Sequence, residues 1–413
     1  MRLTVDEEEM LAGKRGRVYQ KAMQILFQLG EIYGAEKMIP VSNVHMPGAS
    51  VIVAGKAGTR LVEEMAKEGG IFAVSTTLNP AAGDFNTWQE IGFAREDMEL
   101  QERLTGGYRE MGAVPCHTCT PYLTGNIPRK GEHVAWGESS AIAFANSVLG
   151  ARTNREGGPS ALAAALVGRV PAYGYHLDEN RRGQVLINVN TELNGPWDYG
   201  TLGYWAGNIV QERVPVFKGI PWSVSLEELK LLGAALASSG SVALFHVLGV
   251  TPEAPDLETV FGGSEPVQFL EYTEEAAVET VTRLNKHKGD RVDLVAVGCP
   301  HASIQEIGQV AEMLRGKRLA DNTDMWILAA LPVKTMADRM GYTKEIEAAG
   351  AQIVCDTCPV LGSTAAVVKK RGYRSLATNS AKLAHYSPGS WNLDTFYGSI
   401  NRCVKAALSG RWS

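Results

Sequence analysis

Cysteine spacing is the feature of this sequence that points most directly to chemistry. Four of the six cysteines form two C-x-x-C pairs, Cys116 with Cys119 and Cys355 with Cys358, and a fifth, Cys299, lies in a Gly-Cys-Pro-His sequence. Two such pairs can build a four-cysteine zinc site. However, 235 residues separate the pairs, whereas compact zinc modules keep their pairs close together, so the spacing disfavours structural zinc.

Three of these cysteines are predicted to lie where strand ends and loops form a cleft. Cys299 stands between a predicted strand and a helix with Ser303 at its N-cap, where the helix dipole and free N–H groups should favour a thiolate. Cys358 follows a predicted strand at 352–355, and Cys119 lies in a loop. Three thiolates leave an iron open to a substrate oxygen, so that the iron acts as a Lewis acid and a hydroxyl leaves as water. The alternative, that these cysteines are buried small apolar side chains, stays open at this point.

The sequence context of the two C-x-x-C pairs argues against redox catalysis. In a thiol–disulfide oxidoreductase such a pair opens a helix after the first strand of a thioredoxin-like fold, and neither pair here has that context. Six cysteines in 413 residues are also too few for a disulfide scaffold.

Composition excludes several classes of partner. The net charge is −5, and the Lys and Arg residues are scattered, so no basic face for nucleic acid is predicted. The acidic N-terminus differs from a signal peptide, and no stretch approaches about 18 uninterrupted apolar residues, which argues against a membrane span. We therefore expect a cytoplasmic protein that acts on a small molecule.

The sequence predicts that the elements that position the cysteines are α/β units. A capping box from Thr4 to Glu7 predicts a first helix, and a second helical pattern of apolar residues ends near Gly34. The run IFAVSTTLNP predicts a strand that leaves into a polar loop. Through the last third, short strands alternate with helical patterns, which requires crossover connections and hence parallel sheets.

Two polar segments interrupt this pattern. Residues 152–158 form a knot of charged and small residues between two small-residue helices, which is a candidate site. Residues 251–270, rich in Pro, Gly and acidic residues, are predicted as a linker. The predicted domains are thus an α/β core with substrate-contact loops at 1–250 and an α/β region at 271–413, which carries Cys299, Cys358 and the sequence NSAKLAHY.

Eight ordered segments of the chain resemble the large subunit of the aconitase X family. In this sequence they read TTLNP from Thr76, CTPY from Cys119, GEHVAWGESSAIAFANSVLGARTNREGGPSALAAAL from Gly131, GYHLDENRRG from Gly174, ALFHVLGVTPEAP from Ala243, GCPH, DTCP and NSAKLAHY from Asn379. The resemblance implies an α/β fold, a multi-domain aconitase-like core of parallel units around a central cleft. It also implies that the swivelling domain is absent from this chain and is supplied by a separate small subunit.

The resemblance further implies roles for particular residues. Iron, as an iron–sulfur cluster or a mononuclear ion, maps to Cys119, Cys299 and Cys358. Lys382 and Ser380 are the expected catalytic residues, although Ser380 is also a candidate helix cap. The expected substrate contacts are His45, Thr77, Asn79, Ser140, Asn146, Arg152, Asn154, Arg155 and Glu156. The catalytic base is expected on this chain or on the small subunit.

The implied activity is removal of water from a small hydroxylated carboxylic acid. The run ARTNREGGPSALAAA resembles the branch of the family that dehydrates phosphomevalonate, where Arg152 and Arg155 would clamp anionic oxygens. The segment Met46–Val53 departs from both known branches, so cis-3-hydroxy-L-proline or a third hydroxy acid remains an alternative substrate. A non-catalytic iron-binding subunit is the alternative of another class.

Overall fold

The computed structural model of the protein describes all 413 residues. The chain forms three successive α/β regions, each of which contains a parallel sheet. No helix is both long enough and apolar enough to cross a bilayer.

The first region packs helices around a three-stranded sheet. Its helices are α1 Val5–Leu11, α2 Arg17–Ile32, α3 Val51–Lys67, α4 Trp88–Ile91, α5 Arg95–Glu110, α6 Ser139–Ser147 and α7 Gly158–Val167, with 3₁₀ turns at Pro121–Thr124, Gly174–His176 and Asp178–Arg181. Its strands are β1 Met38–Pro40, β2 Asn43–Met46, β3 Ser75–Leu78, β4 Ala135–Trp136 and β5 Arg169–Pro171. The parallel sheet has the order β3-β2-β4, and β1 pairs with β5 in antiparallel fashion. The predicted pair of N-terminal helices is confirmed, because α1 begins at the capping box of Thr4 and Glu7.

The second region is built on a four-stranded parallel sheet of order β8-β7-β6-β9. Its strands are β6 Val185–Val189, β7 Pro215–Lys218, β8 His246–Val247 and β9 Gln268–Tyr272, and its helices are α8 Pro196–Val210, α9 Leu226–Gly240, α10 Leu257–Phe261 and α11 Glu274–Leu284. Residues 251–270, predicted as a linker, carry α10 and lead into β9, which pairs with β6. The division of the chain into domains stays a prediction.

The third region confirms the alternating pattern of strands and helices. Its strands are β10 Leu294–Val297, β11 Asp324–Ala329, β12 Gln352–Cys355, β13 Ser375–Thr378 and β14 Asp394–Tyr397. Its helices are α12 Ile304–Leu314, α13 Leu331–Arg339, α14 Tyr342–Ala348, α15 Gly362–Arg371, α16 Ala381–Ser390 and α17 Ile400–Ser409. The sheet has the order β12-β11-β10-β13-β14 and is parallel throughout. Strand order therefore reverses between β10 and β13, and such a switch point is where open parallel sheets bind ligands.

Both faces of this five-stranded sheet are buried. Val295 and Ile327 belong to one apolar cluster, whereas Leu294 and Trp326 belong to another on the opposite face. A sheet covered on both faces requires nearly continuous apolar strands, which is the pattern of β10 and β11. Gly298 ends β10 with φ +90°, and a Cβ at this position would lie 2.2 Å from the carbonyl oxygen of Leu328. Only glycine fits this turn, which carries the chain from β10 to Cys299.

Candidate active site

The carboxyl-terminal ends of the strands in the first and third regions face each other. In the first region, His45 lies in β2, Asn79 follows β3, and Glu138 follows β4. The two regions are joined directly beyond these ends, where the Ala81 N–H donates to the Asp356 carbonyl at 2.7 Å. Helix α9 of the second region packs against both α6 and α16. The candidate site therefore lies where all three regions meet.

A buried ion pair spans this junction. The ammonium of Lys382, the second residue of α16, donates to Glu138 Oε1 at 2.7 Å and approaches the Ser140 hydroxyl at 3.5 Å. Glu138 also accepts hydrogen bonds from Asn79 Nδ2 at 3.3 Å and from the Ser140 hydroxyl at 3.1 Å. The pair therefore brings together three residues predicted to belong to the site, Asn79, Ser140 and Lys382, around a carboxylate.

Both members of the pair are charged. Burial by itself raises the pKa of Glu138, but the charge and hydrogen bond of Lys382 outweigh it and lower that pKa to about 2. Burial likewise opposes the charge on Lys382, but the Glu138 carboxylate, together with Cys299 and Cys119, outweighs it and raises the pKa of the ammonium. The site thus contains a fixed cation at neutral pH.

The three predicted iron ligands approach this ion pair from different elements. Cys119 lies in the loop before the Pro121–Thr124 turn, Cys299 follows β10, and Cys358 follows β12. Cys119 and Cys299 are buried, and Cys358 is partly accessible. The charges of Glu138 and Lys382 act on the pKa of each of the three thiols. The three cysteines therefore share one neighbourhood although 239 positions separate the first from the last.

Burial opposes the Cys299 thiolate that the start of the helix was predicted to favour. Burial raises the pKa of the Cys299 thiol, and this effect exceeds the opposing effects of Lys382 and of a hydrogen bond to Ser380. Burial also raises the pKa of Cys119, and that of Cys358 to about 12. The physical reason is desolvation, because a thiolate loses its hydration when it is removed from water. A bound cation can compensate for that loss, whereas a helix dipole alone is too weak.

The residues present fit a soft metal in donor type. Thiolates select iron and iron–sulfur centres over hard cations. As the side chains stand, no group of three or more His, Cys, Asp or Glu residues is closed around a point that could hold a metal ion. Four buried polar atoms without a hydrogen-bond partner lie on the strands and loops that carry the site, namely His45 Nε2, Asn79 Oδ1, Tyr122 OH and Asn379 Oδ1. Buried polar atoms are normally hydrogen-bonded, so these atoms indicate a place for a polar ligand.

His45 and Thr77 form a buried pair on neighbouring strands. The His45 Nδ1 lies 2.9 Å from the Thr77 hydroxyl, which also accepts a hydrogen bond from Asn126 Nδ2 at 2.9 Å. Burial lowers the pKa of His45 to about 4, so its imidazole is neutral at pH 7. The other ring nitrogen forms no hydrogen bond of normal geometry, and Asn79 and the Thr118 backbone are its polar neighbours. The substrate contact of His45 stays a prediction.

Ser380 is the N-cap of α16. Its hydroxyl accepts a hydrogen bond from the Leu383 N–H at 3.1 Å, and the side chain is buried. The capping role considered from the sequence is therefore confirmed. A catalytic role for Ser380 stays a prediction.

The two predicted arginine clamps have protein partners. Arg152 forms an ion pair with Asp178 and donates to the His176 carbonyl at 3.2 Å. Arg155 is exposed and donates to the Ser241 carbonyl at 3.2 Å. Neither forms a hydrogen bond with the residues around Lys382, so the structure does not bring them into that cluster. Binding of an anionic substrate by these arginines stays a prediction.

The amides of Asn146 and Asn154 are hydrogen-bonded within the protein, and their predicted substrate contacts stay predictions. Asn146 Nδ2 donates to the Thr153 and Ala243 carbonyls, and its Oδ1 accepts from the Thr153 N–H. Asn154 clamps the turn that follows β5, donating to the Tyr173 carbonyl and accepting from the Tyr175 N–H. These bonds hold the polar knot in shape, and no substrate contact is needed to explain either residue.

Glu156 is buried and hydrogen-bonded on one oxygen only. Its Oε2 accepts from the Ser160 hydroxyl at 2.5 Å, whereas Oε1 has no partner. Burial raises the pKa of this carboxyl. Its substrate contact stays a prediction.

Sequence reasoning missed three residues that organise the site: Glu138, Asn126 and His301. Glu138 stands two positions after β4, and Asn79 stands one position after β3. The position of Glu138 just beyond a strand could therefore have identified it as a site residue. His301 stands in the Gly-Cys-Pro-His segment beside Cys299, which was its signal, whereas Asn126 gave none, because its partner Thr77 is distant in sequence.

The fold and the site define a class of protein. Models of the aconitase X first, second and third domains match residues 1–179, 183–282 and 292–409. This chain belongs to the aconitase X family.

Particular relatives narrow the comparison. The "phosphomevalonate dehydratase large subunit" of Methanocaldococcus jannaschii is 42% identical over 98% of this chain and 100% of the relative. The "cis-3-hydroxy-L-proline dehydratase" of Pseudomonas aeruginosa is 38% identical over 99% of this chain but only 70% of the relative. The crystal structure of "Thermococcus kodakaraensis aconitase X (holo-form)" superposes with a TM-score of 0.88 at 40% identity, covering 98% of this chain and 100% of that one.

Proposed function

We propose that this chain is the large subunit of a hydro-lyase that removes water from phosphomevalonate. The observation that carries the proposal is the buried Lys382–Glu138 pair, which stands among three cysteines at the switch point of a parallel sheet. A dehydration needs a cation for the substrate's carboxylate and a means of making the hydroxyl a better leaving group. The grouping of residues supports both requirements.

Each group of this chain has a distinct task in the proposal. Lys382 binds an anionic oxygen of the substrate, and Glu138 keeps the ammonium charged and aimed in the absence of water. Asn79 and His45 present unpaired polar atoms toward the same space and orient the substrate.

The cofactor in this proposal is iron held by Cys119, Cys299 and Cys358. When bound, it would supply Lewis-acid polarisation of the departing hydroxyl. The choice between an iron–sulfur cluster and a mononuclear ion stays open. The cytoplasmic location predicted from the sequence also stays a prediction.

A second chain completes the proposed enzyme. The relative from M. jannaschii is called a large subunit and is covered along its whole length. By contrast, the relative from P. aeruginosa is covered to 70%, which leaves 30% of its length outside the match. We propose that a separate small subunit supplies the corresponding part, covers the cleft and excludes water.

A second candidate substrate is cis-3-hydroxy-L-proline, favoured by the 38% identity to the P. aeruginosa relative over nearly all of this chain. The deciding experiment is an anaerobic assay of the chain with its small subunit on a panel that contains both acids. We expect loss of water from phosphomevalonate, detected by mass spectrometry. Turnover of cis-3-hydroxy-L-proline alone would identify the second candidate, and turnover of neither would contradict both.

A further inference from the structure

His301 contacts the peptide segments that carry all three cysteines. It lies two residues after Cys299, and its own N–H donates to the Cys119 Sγ at 3.2 Å. Its ring contacts the residues that precede Cys119 and Cys358. Nδ1 lies 3.0 Å from the hydroxyl of Thr118, and Nε2 lies 2.9 Å from the carbonyl oxygen of Thr357.

We propose that His301 is a positioning residue that holds the three cysteine-bearing segments in the arrangement that binds iron. The inference rests on the proposed function, since it assumes that these cysteines bind iron. It goes further by assigning the geometry of the site to a side chain that binds neither metal nor substrate.

The hydrogen-bond partners determine how the imidazole is used. A carbonyl oxygen can only accept, so His301 Nε2 carries the proton and donates to Thr357. In the neutral ring Nδ1 must then accept, and the Thr118 hydroxyl donates to it. Thr118 in turn accepts from the N–H of Thr120 at 3.1 Å. The ring is thus a rigid bridge with one donor and one acceptor. The spacing of its two nitrogens fixes how far apart Thr118 and Thr357 are held.

The bridge is itself anchored by the second region. Lys230, buried in α9, donates to the His301 carbonyl at 3.1 Å and forms an ion pair with Glu306. Glu306 belongs to the capping box that begins α12, directly after the Cys299 turn. His301 is completely buried. The segment that carries Cys299 is therefore tied both to the second region and to the segments of Cys119 and Cys358.

Removing the ring should loosen the thiols without removing any of them. Residues that orient metal ligands typically change metal affinity by about 10- to 100-fold when replaced. We expect His301→Phe to fill the same volume while losing both ring hydrogen bonds, and iron to leave the protein about 10- to 100-fold faster. His301→Gln retains a donor for Thr357 but no rigid link to Thr118, so its rate should lie between those of the wild type and His301→Phe.

The experiment measures iron itself rather than turnover. The full chain is purified anaerobically, iron per chain is determined, and the rate of transfer to a chromogenic ferrous-iron chelator is recorded. His246→Gln is the matched control, because His246 is equally buried and its Nε2 bonds the Arg181 carbonyl at 2.8 Å, away from the cysteines. Iron release at the wild-type rate in both His301 variants, or equal acceleration in His246→Gln, would overturn the proposal.

A second variant tests the bridge if His301→Phe does not fold. Thr118→Val removes the hydroxyl that donates to Nδ1, and it should accelerate iron release in the same direction. If both residues act through one hydrogen bond, the double variant releases iron no faster than His301→Phe alone. If the accelerations of iron release in the two single variants multiply in the double variant, the two residues act separately and the bridge is contradicted. A wild-type chain that binds no iron would instead contradict the iron centre of the proposed function, and this inference with it.

Discussion

Replacing Glu138 by Gln tests whether the buried ion pair supports the junction between the first and third regions. The pair is well shielded, with 11% of the Lys382 side chain and 18% of the Glu138 side chain exposed. The fall in the pKa of Glu138 from 4.5 to about 2 corresponds to about 3 kcal/mol of favourable interaction. Loss of one partner from a buried pair costs about 3–5 kcal/mol, so the residual exposure places the expected loss of unfolding free energy near the lower limit, about 3 kcal/mol.

The measurement is urea unfolding at pH 7, followed by circular dichroism, for the wild type and Glu138→Gln. Asp338→Asn is the control, because Asp338 pairs with Lys334 at 2.9 Å within α13 and both side chains are partly exposed. An exposed pair contributes about 0–1 kcal/mol, so the control should barely change the unfolding midpoint. A midpoint for Glu138→Gln no lower than that of the control would refute the reasoning.

We also expect the destabilisation caused by Glu138→Gln to depend on pH. Because the folded-state pKa of Glu138 is depressed, its stabilisation is fully present above pH 4.5 and is lost as the pH falls toward about 2. The difference in unfolding free energy between wild type and Glu138→Gln should therefore be constant from pH 7 to pH 5 and shrink at pH 3. A difference that does not change on acidification would mean that the carboxylate charge is not the source of the stabilisation.

Three further predictions concern the metal, the substrate and the partner. Serine in place of any one of the three predicted ligands should abolish stoichiometric iron, whereas Cys403→Ser, in an apolar cluster away from the site, should retain it; retention in all three would contradict the assignment. Arg155 is exposed in this chain alone; if the small subunit encloses it against the substrate, Arg155→Ala should lower kcat/KM for phosphomevalonate tens- to thousands-fold, since losing one partner of a charged hydrogen bond in a dry site costs about 2–5 kcal/mol, and an unchanged value would make this arginine structural. The chain purified alone should dehydrate no acid until the small subunit is added, and full turnover without it would exclude an essential partner.

Local sequence patterns determined the elements of this protein because their causes are local. The capping boxes at Thr4 and Ser303 satisfy free N–H groups within one turn, and both begin helices in the structure. The alternation of apolar strands with helical patterns can form only parallel crossovers, so the sheet of the third region and the strand-end positions of Cys299 and Cys358 were predictable. The segment resemblance added the family, which the domain matches bear out.

Only the tertiary structure decided which polar groups meet and at what cost. Glu138 and Lys382 are 244 positions apart, and no local pattern identifies a partner at that separation. Whether Asn146 binds a ligand or the backbone likewise depends on the segments that pack around it. The Cys299 thiol shows the same limit, because the helix start is visible in the sequence but the burial that raises the pKa of the thiol depends on the tertiary structure.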